Sequence, residues 1–479
     1  MMLSRGFGFG TGPMFHRSGA SALALAFLLL LATAARADAI DRYLARQQSV
    51  YGVPAIVVGV IRDGKLVEQR ARGLANVELG VKATPRHVFE IGSISKQFTA
   101  YAILILAEEG KVALDAPLGT YLDDIPDAWK SVTLHRLLTH TSGIPDLEEA
   151  FGYGVYRETP TDTAFIVRLA ALPIDFPPGD RWKYSNTNYW LLARVIERTS
   201  AMTYSDFMQR RIFTPLGMNA TRTAEPPRIL PQRAAGYQRV NKVLENRDAI
   251  QPSTGRGLGD IATTIADLAR WEREQLSPRL VTRASAELAR TPVRLNDGKE
   301  APYAYGWFTD PILPRVALYH DGQTAGFTAG YVRVPELRLA VVVLANLYGG
   351  PADRIARYVA RRSDPALRQA PLPPIADNDP ASTQRVRLLL ATGLRAPTEW
   401  KPEWFTKDFW AEYQPYLADI ANAYEDRGTI RGVALVERVA DGTGGQTSKY
   451  RVAHTGWSRI LTVGTDAEGR ISKLGGEDE

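Results

Sequence analysis

The composition is that of a folded protein with room for more than one domain. The 479 residues are 45% hydrophobic and 23% charged, which supplies the core of one large domain and a smaller one. The absence of cysteine excludes a disulfide framework, a thiolate nucleophile and a cysteine metal site. The chain has a net charge of +6 and six histidines. Its lysines and arginines do not cluster with aromatic residues, so no nucleic-acid partner is expected. The histidines lack the spacing of metal ligands, so no metal is expected.

Residues 1–37 have the pattern of a secretory signal peptide. Arg5 and Arg17 give a positive start, and residues 20–32 form an apolar run rich in Leu and Ala. An A-x-A motif ends at Ala37, which predicts cleavage there and a secreted or periplasmic mature protein. The run is shorter than the roughly 20 apolar residues that span a bilayer. An uncleaved anchor is therefore the less favoured alternative, and no membrane span is expected in the mature chain.

Residues 38–370 are predicted to form the larger domain. A helix is predicted at Ile40–Gln48, and a hairpin follows from Ala55 to Ala75, with its turn at Asp63-Gly64. A helix is predicted from about Ser93 to Glu108, and residues 126–271 have the pattern of helices and loops. The last elements are strands near Tyr305, Val316–Tyr319, Phe327–Val334 and Leu339–Ala345, followed by a helix over Asp353–Arg361. Strands at both ends with helices between them indicate one α+β domain.

Residues 371–380 carry four prolines and two aspartates and are predicted to be a linker. Residues 381–479 are predicted to form a small C-terminal α+β module. Its expected elements are helices at Ser382–Leu394 and Phe409–Tyr424 and strands near Gly428–Val439, Tyr450–Ala453 and Ile460–Val463. Helices followed by a few long strands are similar to cone-shaped NTF2-like modules, and no site residue is assigned here.

The segment Ser93-Ile94-Ser95-Lys96 is the one place in the chain where a serine is followed three positions later by a lysine. On a helix such a pair shares one face. A lysine can accept the proton of a serine hydroxyl if burial lowers the pKa of its amine. A helix N-terminus also brings backbone N–H groups close to a developing oxyanion. The alternative is a capped helix with a surface lysine.

Tyr184-Ser185-Asn186 is the only Y-x-N segment, and it joins a Pro- and Gly-rich loop to a helical pattern. A nearby lysine cation is expected to lower the pKa of the Tyr184 hydroxyl, which would suit a general base or acid. Asn186 is a candidate for holding the amide of a substrate. The alternative is an aromatic side chain that packs the domain, with the asparagine capping the next helix.

Together these residues resemble the active-site set of the serine β-lactamase and penicillin-binding protein family, in its class C branch. The resemblance covers roughly Ile40 to Arg361. Further matches follow in the family's chain order at Phe89–Gly92, Leu137–Pro145, Gly257–Asp260, Asp267–Arg270, His320–Gly322 and Gly326–Phe327. The resemblance implies a β-lactamase/transpeptidase-like fold, with an antiparallel sheet flanked by helices and a helical region. It also implies that His140 is structural and that no cofactor is needed.

The family's third motif usually reads Lys-Thr-Gly on an edge strand beside the nucleophile. His320-Asp321-Gly322 and His454-Thr455-Gly456 both compete for this role, and the first is chosen because two strands follow it. The resemblance then implies that Gly322 lets the substrate lie against the strand. It further implies that the backbone N–H of Gln323 joins that of Ser93 as the oxyanion hole. A neutral His320 attracts a substrate carboxylate less than a lysine does, which disfavours efficient β-lactam hydrolysis.

We therefore predict an exported serine hydrolase that acts on amides or esters, of the D-amino-acid peptidase or esterase type. Ser93 is the expected nucleophile, Lys96 and Tyr184 carry the proton, and a small molecule or a peptide is the expected substrate. Two alternatives stay open: a non-catalytic binding or sensing protein, and an acyltransferase that uses the same residues. The intact catalytic set favours an enzyme. The sequence leaves the oligomeric state open.

Overall fold

The computed structural model describes most of the chain. The described residues are 39–223, 229–247, 249–309, 311–368, 372–393, 400–414, 429–442, 444–455 and 457–478. The chain divides into two units, residues 1–43 and 44–479. Of the first unit only residues 39–43 are described, and they are helical. The predicted signal segment, with its cleavage site after Ala37, lies outside the described residues.

An antiparallel sheet of six strands is the scaffold of the larger part of the second unit. The strands of this part of the chain are β1 (Ala55–Arg62), β2 (Lys65–Asn76), β3 (Val81–Lys82), β4 (Phe89–Glu90), β5 (Arg222–Thr223), β6 (Tyr237–Val240), β7 (Val243–Asn246), β8 (Ile261–Thr263), β9 (Leu318–Thr324), β10 (Phe327–Val334) and β11 (Leu339–Ala345). The sheet has the order β3-β2-β1-β11-β10-β9. Its central strands β1 and β11 are continuous apolar runs and are buried on both faces, as strands covered on two sides must be.

The two ends of the sheet differ in how well the sequence predicts them. The β1–β2 hairpin is confirmed, and Asp63 and Gly64 both adopt positive φ at its turn, as a two-residue hairpin turn requires. On the other edge, the strand expected over Val316–Tyr319 begins at Leu318 and continues to Thr324. Near Tyr305 there is no strand in the described chain, and Phe308 forms isolated bridges with Tyr303 and Tyr319.

Helices and loops fill the region between β4 and β9. The α-helices are Ser95–Glu108, Asp127–Lys130, Leu134–Leu138, Leu147–Phe151, Asp162–Ala170, Asn186–Ser200, Tyr204–Met208, Thr214–Leu216, Pro252–Gly255, Ile265–Leu276 and Arg283–Leu288. The helix Ser95–Glu108, here called the nucleophile helix, is buried at every position from 95 to 106. Phe98 on this helix stacks on Trp271 with ring centroids 4.1 Å apart. Such all-round burial explains why the helix has almost no polar face.

Short strands also occur where the sequence indicated only helices and loops. β8 pairs with both β4 and β5, and Glu90 lies opposite Ala262 in this small sheet. The pairing fixes the chain just before the nucleophile helix. Two- and three-residue strands lack enough alternating positions for a sequence pattern to reveal them.

The C-terminal residues form a second sheet with its own apolar core. After the helix Ala352–Ser363, the described helices are Pro380–Leu388 and Lys407–Tyr413, and the strands are β12 (Ile430–Ala440), β13 (Gln446–His454), β14 (Trp457–Thr465) and β15 (Ile471–Asp478). These four strands pair in sequence order. Contacts to the larger part include the ion pair Arg361–Glu477 at 2.9 Å. No helix among the described residues is long and apolar enough to cross a membrane.

Three of these strands were predicted and β15 was not. The bounds of β12 differ from the prediction by one or two residues, and β13 and β14 are longer than predicted. Gly475 and Gly476 within β15 remove the side-chain alternation by which a strand is recognised. The helix predicted to run to Tyr424 is described only as far as Tyr413, because residues 415–428 lie outside the described chain.

Candidate active site

Ser93 lies in a tight turn at the start of the nucleophile helix. The turn is the 3₁₀ segment Gly92–Ile94, and the α-helix itself begins at Ser95, two residues later than predicted. Gly92 adopts φ +52°, and a β carbon on it would lie 2.4 Å from the backbone nitrogen of Gln323. Only glycine therefore allows the edge strand β9 to approach the nucleophile so closely.

Lys96 lies beside Ser93 and is fully buried. Its Nζ is 2.9 Å from Ser93 Oγ, 2.8 Å from Asn186 Oδ1 and 2.8 Å from the Leu258 carbonyl oxygen. The last two atoms only accept hydrogen bonds, so they take two N–H groups of the amine. In neutral Lys96 the remaining lone pair then faces the Ser93 hydroxyl.

The electrostatics of the pocket favour that neutral amine. Burial lowers the pKa of Lys96 to about 7, against the opposing effect of nearby carboxylates, of which Asp146 is the strongest. A lysine exposed to water has a pKa of about 10.4. Near neutral pH, Lys96 is therefore poised to accept the proton of the serine hydroxyl.

Tyr184 covers the amine, with Lys96 Nζ 4.9 Å from its ring centroid. Its hydroxyl is buried and interacts with the side chain of Ser93. Burial raises the pKa of this hydroxyl well above its ordinary value, although Ser93 nearby acts in the opposite direction. The expectation from the sequence that this pKa falls is wrong, because loss of hydration on burial has the largest effect on it. Tyr184 is thus a neutral O–H donor.

His140 supports Tyr184 from behind. The two rings lie 4.3 Å apart between centroids, and His140 Nδ1 accepts a hydrogen bond from the backbone N–H of Ser185 at 3.1 Å. The imidazole is fully buried, and burial holds its pKa well below the ordinary value. Its contacts are those of a packing residue that orients the tyrosine.

The edge strand β9 brings the predicted oxyanion donors together. A β carbon on Gly322 would lie 1.9 Å from the Ile91 carbonyl oxygen and 3.1 Å from the Ser93 nitrogen. This close approach brings the backbone of Gly322 and Gln323 against that of residues 91–93. The Gln323 side chain is held in turn, since its Oε1 accepts from the Gly349 N–H at 3.0 Å.

His320 differs from its predicted role. Its Nδ1 lies 2.6 Å from the Asp321 carbonyl oxygen and its Nε2 lies 2.8 Å from Tyr303 Oη. Because a carbonyl only accepts, Nδ1 carries the proton and Nε2 accepts from the tyrosine. Burial, with a smaller effect of Lys96, lowers the pKa of His320 to about 3. The imidazole is neutral as expected, but neither nitrogen is free to bind a substrate carboxylate.

The competing segment at His454 lies away from this cleft. His454 ends β13 in the C-terminal sheet, and its ring stacks on Trp457 at 4.1 Å between centroids. Gly456 lies outside the described residues. The choice of His320-Asp321-Gly322 as the third motif agrees with this geometry.

Two carboxylates that the sequence argument did not assign hold the site together. Glu90 is buried and accepts hydrogen bonds from Thr324 at 2.9 Å and from Arg233 at 2.6 Å. It therefore ties the segment before Ser93 to the strand that carries Gln323. The sequence shows that a glutamate precedes the nucleophile. It does not predict the hydrogen bonds of Glu90, because Thr324 and Arg233 are far from it in the chain.

Asp146 is the second of these carboxylates and fixes Asn186. It accepts from the backbone N–H groups of Glu148 and Glu149, both at 2.9 Å, and from the backbone N–H of Asn186. A helix N-cap pattern after Pro145 is the one sequence signal that points to it.

These residues surround one cleft of about 810 Å³. Its walls are formed by Ser93, Asp146, Glu148, Glu149, Gly152, Tyr153, Tyr156, Tyr184, Asn186, Ile250, Leu258, Gly259, Phe308, His320, Asp321, Gln323 and Tyr348. The cleft is of the size that holds a small molecule or a short peptide.

The family model of the beta-lactamases matches residues 40–364. The chain belongs to this family. The penicillin-binding protein 4* of Bacillus subtilis is 31% identical over 277 residues, which is 54% of this chain and 60% of that protein. The D-aminopeptidase of Gluconobacter oxydans is 27% identical over 356 residues, 73% of this chain and 66% of that enzyme. The chain thus spans less than two thirds of the length of either relative.

Solved structures of the family share the fold. A penicillin-binding protein homologue from Pyrococcus abyssi, described as octameric, has a TM-score of 0.63 and 23% identity over 92% of this chain and 95% of its own. A D-stereospecific amidohydrolase from Streptomyces has a TM-score of 0.56 and 24% identity over 65% of this chain and 96% of its own. They confirm the predicted α+β, β-lactamase/transpeptidase-like class.

Proposed function

We propose that the protein is a serine hydrolase that cleaves amide or ester bonds through an acyl-enzyme on Ser93. The observation that carries the proposal is the distance of 2.9 Å between Lys96 Nζ and Ser93 Oγ. The other two hydrogen bonds of the amine are made to Asn186 and Leu258. In the alternative of a capped helix with a surface lysine, the amine would be exposed to water and would not be buried against a serine hydroxyl.

In the proposed reaction, Ser93 Oγ attacks the substrate carbonyl carbon while its proton moves to Lys96 Nζ. The backbone N–H groups of Ser93 and Gln323 stabilise the oxyanion, an interaction worth about 3 to 4 kcal/mol for each donor. Tyr184 donates its O–H proton to the leaving nitrogen or oxygen and is reprotonated from Lys96. Water then attacks the acyl-enzyme by the reverse proton route, releasing the acid and restoring Ser93.

D-amino-acid amides, peptides and esters are the proposed substrate class, ahead of β-lactams. Two relatives support this choice, since one is a D-aminopeptidase and another a D-stereospecific amidohydrolase. His320 supports this choice as well. Both of its nitrogens are hydrogen-bonded within the protein, so this position lacks the cation that a lysine would offer to a substrate carboxylate. Acyl transfer would use the same residues and differ only in the acceptor.

We also propose export by the pattern of residues 1–37 and a division into a hydrolase domain, 38–370, and an appended module, 381–479. Both rest on the sequence. Export is tested by determining the N-terminal residue of the protein recovered from a periplasmic fraction. The expected N-terminal residue is Asp38.

The function is tested by turnover of D-alanine p-nitroanilide, its L-enantiomer, the matching ester and a penicillin. Wild-type protein is expected to hydrolyse the D-amide and the ester faster than the other two. Ser93→Ala should lower kcat/KM by at least about 1,000-fold. The matched control Ser131→Ala, at an exposed position, should leave it unchanged. Equal activity of Ser93→Ala and wild type would refute the proposal.

A further inference from the structure

A loop before β8 provides one of the hydrogen-bond acceptors of the Lys96 amine. Leu258, whose carbonyl oxygen lies 2.8 Å from Lys96 Nζ, belongs to residues 257–260, between the helix Pro252–Gly255 and β8. These four residues are here called the lysine loop. Because they lie outside the helices and strands, the direction of the Leu258 carbonyl depends on the contacts of the loop with its surroundings.

Thr99 binds the first residue of the lysine loop. It lies on the nucleophile helix, one turn after Ser95, and is fully buried. Its hydroxyl donates to the Gly257 carbonyl oxygen at 2.6 Å and lies 2.8 Å from Tyr204 Oη. Because a threonine hydroxyl has a single proton, Tyr204 is the donor in the second contact. The two hydroxyls therefore form a chain of hydrogen bonds that ends on the loop.

Asp260 closes the lysine loop at its other end. Its Oδ1 accepts a hydrogen bond from the backbone N–H of Gly257 at 3.1 Å, so the buried carboxylate joins the last residue of the loop to the first. The next residue, Ile261, donates its backbone N–H to Ser95 Oγ at 3.1 Å. Both ends of the loop are thus bound to the nucleophile helix, and Leu258 lies between them.

The lysine loop also packs against the helix Asn186–Ser200. Gly257 adopts φ +77°, and a β carbon on it would lie 2.6 Å from Ala193 Cβ and 2.7 Å from the Tyr189 carbonyl oxygen. Only glycine fits this conformation and this space. Asn186, the other acceptor of the Lys96 amine, begins the same helix. The loop is therefore held between the two helices that carry Lys96 and Asn186.

The hydrogen bond of Asp260, more than its charge, bears on Lys96. Four carboxylates raise the pKa of Lys96 against the effect of burial, and that of Asp260 has the smallest effect. The other titratable groups that face the amine are the carboxylates of Asp146, Glu148 and Asp321, the imidazoles of His140 and His320, which are neutral because burial lowers the pKa of each, and the rings of Tyr184 and Tyr189.

We propose that Thr99 and Asp260 are positioning residues for the base. They hold the Leu258 carbonyl where it accepts one N–H group of Lys96, which keeps the lone pair of the amine directed at Ser93. This rests on the proposed hydrolase function, in which Lys96 accepts the serine proton. Without this acceptor the neutral amine would be free to rotate its lone pair away from the serine hydroxyl. Misplacing a catalytic group by about 1 Å can lower a rate about 100-fold.

The test is the pH profile of Ser93 labelling by an uncharged fluorophosphonate, followed by intact mass. The wild type is expected to reach a plateau with a midpoint near pH 7, the pKa of Lys96. Thr99→Val, which has nearly the shape of threonine without its hydroxyl, should lower the plateau rate by about tenfold or more. Its midpoint should move to lower pH by roughly one unit, because losing an acceptor destabilises the charged amine more than the neutral one.

Conservative variants separate the hydrogen bonds from the fold. Thr99→Ser keeps the hydroxyl and should restore most of the rate that Thr99→Val loses. Asp260→Asn keeps an oxygen that accepts from Gly257, so it should recover most of the rate that Asp260→Ala loses. If Thr99→Val does not fold, the two Asp260 variants provide the same comparison.

Thr221→Val is the matched control. Thr221 is also fully buried, and its hydroxyl donates to Asp267 Oδ2 at 2.8 Å. This variant should lose stability in urea and keep the wild-type labelling profile. A plateau rate that neither Thr99→Val nor Asp260→Ala lowers, or a midpoint that moves to higher pH in Thr99→Val, would overturn this inference and leave the hydrolase in place. Failure of the wild type to be labelled at Ser93 would overturn the hydrolase itself.

Discussion

Acylation of Ser93 is expected to rise with pH and to level off just above neutrality. The base is Lys96, whose amine must be neutral to accept the serine proton, so protonation at low pH stops the reaction. With a pKa of about 7, roughly a tenth of the molecules carry neutral Lys96 at pH 6 and roughly nine tenths at pH 8. The rate should therefore increase about tenfold between these two values and then stay constant.

An ordinary lysine would give a different curve. With a pKa of about 10.4, only about one molecule in a few thousand would hold a neutral amine at pH 7. The rate would then rise about 100-fold from pH 6 to pH 8 and continue to rise without a plateau. The size of the rise and the presence of the plateau together distinguish a buried Lys96 from an exposed one.

The assay is the second-order rate of labelling by an uncharged fluorophosphonate, followed by intact mass from pH 5.5 to 9. Tyr184→Phe is the control, because it removes the hydroxyl and leaves the lysine buried. It should lower the rate and keep the midpoint near pH 7. A rate independent of pH between 6 and 8 would refute Lys96 as the base, and a 100-fold rise without a plateau would refute the lowered pKa of its amine.

Three further predictions concern the scaffold. Gly322→Ala should lower the labelling rate by about 100-fold or more, because the added methyl group clashes with backbone and displaces an oxyanion donor. Glu90→Gln should lower the labelling rate about tenfold and the free energy of unfolding in urea by about 1.5 to 3 kcal/mol, since it weakens the bond to Thr324. Glu272→Leu leaves the fully buried Arg333 without its partner and should lower that free energy by about 3 to 5 kcal/mol without changing the labelling rate.

The contrary results are equally specific. Normal labelling of Gly322→Ala would mean that β9 does not contribute to the oxyanion hole. For Glu90→Gln, a loss of stability with an unchanged labelling rate would limit this residue to a structural role. For Glu272→Leu, stability within about 0.5 kcal/mol of the wild type would show that the guanidinium reaches water.

Local patterns in the sequence account for much of the fold. The apolar runs of β1 and β11 and the Asp63-Gly64 turn have the periods and turn residues that define a strand and a hairpin, and all are present. The strand β15 was missed because Gly475 and Gly476 leave no alternation to detect. The pairing of β4 with β8 joins residues far apart in the chain, so no local pattern predicts it.

Some of the active-site residues could be predicted from the sequence, and others could not. The motif spacing and the family resemblance single out Ser93, Lys96 and Tyr184, and the structure brings the three together. The direction of the Tyr184 pKa was predicted wrongly, because a sequence shows the charged neighbour but not the burial that opposes it. Asp146 and Glu90 were missed for a similar reason, since their roles depend on backbone N–H groups and side chains from other segments.

The central claim is tested most directly by intact-mass spectrometry after exposure to a fluorophosphonate and, separately, to a penicillin. We expect a single fluorophosphonate adduct that maps to Ser93, is absent from Ser93→Ala and is retained in Ser131→Ala. A penicillin adduct at the same residue should form and be lost slowly. No adduct with either reagent would contradict the acyl-enzyme mechanism and favour a non-catalytic binding protein. An adduct that persists in Ser93→Ala would contradict Ser93 as the nucleophile.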